Sequence, residues 1–123
     1  MRAIVDTGVF WRPHALRKLK ELGVRLIVPA VAFAERARQV RREGTTVEAF
    51  ARTLELYGAT VEPLGVAEAS RFAPYIDGDD AWRRLSRDSL IAGHLRPDDM
   101  LWTTNAKDFL ELGVPSAQIV EVE

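Results

Sequence analysis

Short apolar runs alternate along the chain with amphipathic stretches. Ala3-Ile4-Val5 is apolar and stops at Asp6-Thr7-Gly8; a short apolar run bounded by a polar turn reads as a buried strand. Asp6 or Thr7 is placed to cap the segment that follows. From Val9 to Leu22 the residues Leu16, Leu19 and Leu22 recur at helical spacing and Gly23 stops the pattern. Pro13 fits only a first turn, so this helix is expected to begin near it. Leu26-Ile27-Val28, closed by Pro29, reads as a second strand. Helices are expected over 31–42 and, capped by Thr46, over 47–57, then a strand over 60–62 and a helix from Val66 to about Tyr75. A turn over 77–80 leads to a helix over 81–95. Met100-Leu101-Trp102 reads as a fourth strand ending in Thr103-Thr104-Asn105, before a short helix over 106–112 and a last strand over 118–122. Apolar strands alternating with helices imply a mainly parallel sheet covered on both faces. Right-handed crossovers then favour a three-layer α/β/α sandwich. With no linker, repeat or low-complexity stretch, a single domain over 1–123 is expected.

Composition narrows the chemistry. The absence of cysteine removes disulfides, thiolate nucleophiles and zinc–thiolate sites together. No apolar run approaches the roughly 20 residues of a membrane helix, and the N-terminus lacks a signal-peptide pattern, so a soluble cytoplasmic protein is expected. Seventeen Lys and Arg against 18 Asp and Glu give a net charge of −1. Any grip on nucleic acid must therefore come from a local patch.

In an open parallel α/β sheet, ligands bind beyond the carboxyl ends of the strands. The first strand delivers Asp6 and Thr7 there, and the fourth delivers Thr103, Thr104 and Asn105. Glu35 and Asp88 lie inside amphipathic helices, each with apolar neighbours. A carboxylate drawn toward a core is costly unless paired or bound to a metal. Converging carboxylates raise one another's pKa unless a cation stands between them. Oxygen ligands without cysteine suit a hard cation, Mg²⁺ or Mn²⁺, which can polarise a phosphoryl oxygen and acidify water. Each acid also has a local alternative: Asp6 as a helix cap, Glu35 paired with Arg38, Asp88 paired with Arg84.

Four segments together resemble the PIN-domain ribonuclease family, of the small VapC-like toxin type. They are Ile4-Val5-Asp6-Thr7-Gly8-Val9-Phe10, Val28-Pro29-Ala30-Val31-Ala32-Phe33-Ala34-Glu35, Arg87-Asp88-Ser89-Leu90-Ile91-Ala92-Gly93-His94 and Leu101-Trp102-Thr103-Thr104-Asn105-Ala106-Lys107-Asp108-Phe109. The resemblance implies a metal-dependent endoribonuclease with a four-residue site at Asp6, Glu35, Asp88 and Asn105. Asn105 falls where the family often has Asp and contributes no charge, which bears on a second metal more than on a first. The resemblance further implies Mg²⁺ or Mn²⁺ held by Asp6 and Asp88, with Glu35 completing the shell or orienting the attacking water. Thr7, Thr103 and Asp108 would support the site. A cognate antitoxin and a homodimer are the implied protein partners, and RNA the substrate.

Arginines flank the acids. Arg36, Arg38, Arg41 and Arg42 follow Glu35, while Arg83, Arg84 and Arg87 surround the approach to Asp88. They read either as a phosphate-binding rim, with Arg38, Arg84 and Arg87 the candidates for RNA, or as a solvated face. By helical spacing Arg84 shares a side with Asp88, and Arg87 is turned about 100° from it. His14 and His94 lack a ligand-spaced partner and are not metal candidates. Trp102 is expected in the core, Trp82 and Phe72 in the core or an interface. Val47, Phe50, Ala51, Leu54 and Tyr57 form an apolar stripe that is core or a partner-binding face. The competing functional readings are a housekeeping RNA-processing nuclease and a PIN-fold module that binds without cleaving, the second motivated by Asn105.

Overall fold

A computed structural model describes residues 1–72 and 79–123, without the side chains of Phe72, Ala81 and Trp82. Strands β1 (Arg2–Val5), β2 (Arg25–Pro29), β3 (Ala59–Glu62), β4 (Met100–Thr103) and β5 (Ile119–Glu121) form one sheet ordered β3-β2-β1-β4-β5. Every neighbouring pair is parallel, with Ile4 opposite Ile27 on one side and Leu101 on the other. Helices α1 (Pro13–Glu21), α2 (Ala30–Arg42), α3 (Val47–Leu56), α4 (Val66–Phe72), α5 (Asp79–Ala92) and α6 (Ala106–Glu111) flank it. The expected three-layer α/β/α sandwich is what forms.

The strands sit where their composition demands. Ile4, Val5, Ile27, Val28 and Leu101 are all but sealed from solvent, because a central parallel strand is covered on both faces. Leu16 and Leu19 of α1, Leu54 of α3, Ile91 of α5 and Phe109 of α6 complete the core, each large side chain contributing about 1.5–3 kcal/mol of burial. The apolar stripe over 47–57 is core: Phe50 and Leu54 are buried, and Val47 and Tyr57 pack against the cluster. Trp102 likewise packs on the core while keeping part of its surface exposed.

Several boundaries differ from the sequence pattern. Residues Thr7–Trp11 form a 3₁₀ turn, and α1 begins at Pro13, which needs no N–H acceptor at that position. Helix α5 starts at Asp79 and takes Asp79 and Asp80 into its first turn, where carboxylates favour the positive end of the helix. It ends at Ala92, short of Leu95, and Gln118 belongs to a 3₁₀ turn ahead of β5. The expected helical residues beyond Phe72, the turn at 77–78 and the side chains of Phe72 and Trp82 lie outside the described part. No helix among the described residues is long and apolar enough to cross a membrane.

Strand order positions the site. From β1 the chain steps to β2 and β3 on one side, then returns to β4 and β5 on the other. The reversal falls between β1 and β4, and a crevice opens beyond the carboxyl ends of strands at such a switch point. Gly8 lies in the turn after β1, where a Cβ would run into the Thr104 hydroxyl. Any larger residue would therefore push the first loop away from β4.

Candidate metal-dependent active site

Asp6 follows β1 directly, and its own N–H extends the ladder by donating to the Trp102 carbonyl at 3.0 Å. Its carboxylate is held on both oxygens. The Thr7 N–H donates to Oδ1 at 2.7 Å, and the Thr103 hydroxyl, from the end of β4, donates to Oδ2 at 2.9 Å. The cap alternative is thus realised as well, since Asp6 caps the 3₁₀ turn. Thr103 is sealed from solvent. Its hydroxyl oxygen also accepts the Asn105 N–H at 2.9 Å, linking the two strand ends.

The two helical acids reach the same place. The Thr7 hydroxyl donates to Glu35 Oε1 at 3.2 Å, tying α2 to the turn after β1. Arg87 Nη1 donates to Glu35 Oε2 at 3.1 Å, and Nη2 and Nε donate to Asp88 Oδ1 at 3.0 and 3.3 Å. Asp6, Glu35 and Asp88, 82 positions apart at the extremes in a 123-residue chain, are therefore linked through Thr7 and Arg87. The helix partners anticipated from spacing are not the ones observed. Glu35 pairs with Arg87 and not Arg38, Asp88 with Arg87 and not Arg84, and Arg84 binds Glu111 at 2.6 Å. Arg87 was expected to turn away from Asp88. Its long side chain folds back instead, because two carboxylates converge on one guanidinium.

Burial sets the electrostatics. Asp6 and Asp88 are each 3% exposed. Desolvation raises the pKa of Asp6, against the hydrogen bonds from Thr103 and Thr7 and the charge of Arg87, and Glu35 pushes it further up. Desolvation likewise raises Asp88, against its bond to Arg87, with the charges of Asp6 and Asp108 adding to the rise. The acids thus feel one another, and one half-exposed guanidinium does not fully compensate them. All-oxygen donors that repel each other in a buried crevice fit a hard divalent cation. Asp6, Glu35 and Asp88 are the residues that would hold it.

Asn105 stands at the same edge, but its amide is engaged. Nδ2 donates to Asp108 Oδ2 at 2.6 Å. Asp108 therefore brings its charge to the site's margin, where Asp88 senses it. Arg38 borders two hollows on α2. One, of about 110 Å³, is lined by Glu35, Arg38, Gln39 and Arg42. The other, of about 460 Å³, is lined by Ala37, Arg38, Arg41, Arg42 and Val47. A basic track thus leads off from Glu35. Beside it, Arg36 stacks on the half-exposed Trp11 ring at 3.8 Å.

A second polar cluster was not legible in the sequence. Among the described residues, Glu62, Glu68 and His94 are the group whose ligand atoms all lie within 4.8 Å of one another. His94, set aside as a metal candidate for want of a spaced partner, is fully buried and its Nδ1 lies 2.9 Å from Glu62 Oε1. These carboxylates already have cations, however. Arg2 pairs with Glu62 at 3.0 Å and with Asp99 at 3.3 Å, and Arg71 stands 3.9 Å from Glu68. A dication there would have to displace Arg2, whose side chain is only 11% exposed, so we read the cluster as a structural ion-pair network. Compared with known proteins, the chain matches no protein-family model and no curated sequence, so fold and side-chain geometry carry the functional reading.

Proposed function

We propose that this chain is a PIN-type endoribonuclease dependent on Mg²⁺ or Mn²⁺, with Asp6, Glu35 and Asp88 as its acidic centre. The observation that supports this most is the convergence of those three carboxylates on one crevice at the switch point of the sheet, through Thr7, Thr103 and Arg87. The cation would supply Lewis acidity toward the scissile phosphate and a lowered pKa for water. Asp6, hydrogen-bonded on both oxygens, and Asp88, on α5, would hold it. Glu35 is the acid open to solvent, with its side chain 27% exposed, so it orients the attacking water and accepts its proton. Arg38 and Arg42, next to Glu35, bind neighbouring phosphates of the strand. With a net charge of −1 the affinity for RNA should be modest and salt-sensitive.

The resemblance to small VapC-like toxins extends the proposal to a cytoplasmic toxin held in check by a cognate antitoxin, acting as a homodimer. A second reading, a PIN-fold module that binds RNA without cleaving it, draws on Asn105, whose amide is spent on Asp108. Incubating purified protein with a mixed RNA pool separates the two. Cleavage that needs Mg²⁺ or Mn²⁺ and is lost in Asp6→Asn and Asp88→Asn supports the nuclease. Silence of the unaltered protein under both ions defeats it.

A further inference from the structure

Arg87 was a candidate for phosphate, yet all its contacts go to carboxylates. Its Nη1 holds Glu35 Oε2, and its Nη2 and Nε share Asp88 Oδ1. Oε1 of Glu35 is already taken by the Thr7 hydroxyl. Arg87 therefore occupies the Glu35 oxygen that Thr7 leaves unbonded. At Asp88, 4% exposed at its side chain, Arg87 contributes the only cationic partner among the described residues. Yet Arg87 itself is half in solvent, 50% exposed at the side chain. It rests on long flexible torsions, and half its surface is open to water that can take over its hydrogen bonds.

We infer that Arg87 is an exchangeable counter-ion: it neutralises Glu35 and Asp88 in the metal-free protein, yields them to a divalent cation, and then offers its guanidinium to an RNA phosphate. This rests on the nuclease reading and adds to it a residue that couples metal loading to substrate capture. The charges favour the exchange. One guanidinium supplies a single positive charge to a crevice into which Asp6, Glu35 and Asp88 all project, and a dication supplies two. The released side chain stays beside Glu35, at the start of the track lined by Arg38 and Arg42. There its planar fork suits a phosphate as well as a carboxylate. A permanent brace would behave oppositely, because its removal would splay the acids and weaken metal binding.

Calorimetric titration of Mn²⁺ into the full chain distinguishes the two, at fixed ionic strength and with circular dichroism to confirm folding. Arg87→Gln should bind Mn²⁺ about tenfold more tightly than the unaltered protein, with Arg87→Lys between them and Asp6→Asn without binding. In a parallel NMR titration with Mg²⁺, the Arg87 Nε–H resonance should shift as the site fills. In Ca²⁺, Arg87→Gln should bind a short labelled oligouridylate about threefold more weakly, despite its tighter hold on metal. Binding of Mn²⁺ that depends on Asp6 but is no tighter in Arg87→Gln overturns the exchange and leaves the nuclease reading standing. Absence of binding in both proteins removes the nuclease reading, and the exchange with it. Unchanged oligouridylate affinity overturns the phosphate role.

Discussion

The same two strands, β1 and β4, carry a polar cluster at each end, and the two clusters differ in what they leave unbalanced. Arg2 opens β1, His94 lies just past α5 and Asp99 just before β4; with Glu62, Glu68 and Arg71 they form a network of three carboxylates, two guanidinium groups and an imidazole. At the other end Asp6 follows β1, Asp88 lies within α5 and Thr103 ends β4. There Asp6, Glu35 and Asp88 share one half-exposed guanidinium, and burial raises the pKa of both aspartates. In the first cluster two guanidinium groups serve three carboxylates, and removing one partner of such a buried set strands the others. Buried acids left short of positive charge cost stability and signal a site shaped for something that arrives later.

Substitutions at the two ends should therefore have opposite signatures, and on the proposed nuclease function the largest effect falls on RNA cleavage. Asp6→Asn should lower RNA cleavage by at least about 100-fold. The same change should raise the melting temperature in EDTA by a few degrees, roughly 1 kcal/mol, because it removes a buried charge. At the opposite end, Arg2→Ala should destabilise by about 3 kcal/mol through the stranded Glu62 and Asp99, with cleavage per folded molecule unchanged. Chemical denaturation and a gel assay on the same preparations read both.

The pH dependence follows from the raised aspartates. Asp6 and Asp88 ionise in the folded protein above the ordinary value of 3.8. The folded state then binds more protons than the unfolded one across that interval. Stability in EDTA is greatest below the ordinary value and falls as pH rises through the interval to the folded pKa values. Denaturation curves across acid to neutral pH should show this decline. It should flatten in the Asp6→Asn, Asp88→Asn double variant and be offset by Mn²⁺.

Smaller effects test the margins. Asn105→Asp places a carboxylate against Asp108 in place of a 2.6 Å hydrogen bond. It should cost about 1 kcal/mol in EDTA, a loss that Mn²⁺ reverses, as thermal melts would show. Gly8→Ala should cost a similar amount by forcing the first loop off Thr104.

Much of this architecture was legible because it is written locally. Short continuous apolar runs such as Leu26-Ile27-Val28, closed by Pro29, read as buried strands, and Asp6 stands out because it ends one abruptly. Ion-pair partners were not legible, because local spacing competes with contacts that only the fold creates. Arg38 and Arg84 were the nearest cations by helical register, yet Glu35 takes Arg87, 52 positions away. The Arg2 network was invisible for the same reason. His94 has no spaced partner in sequence, and Glu62 reaches it from a strand 32 positions earlier.

Anomalous diffraction from a crystal soaked in Mn²⁺ examines the contrast between the two ends most directly. The expected result is a peak bounded by Asp6 and Asp88, with Glu35 beside it and Arg87 withdrawn. No peak at that crevice, or one confined to Glu62, Glu68 and His94, would contradict it.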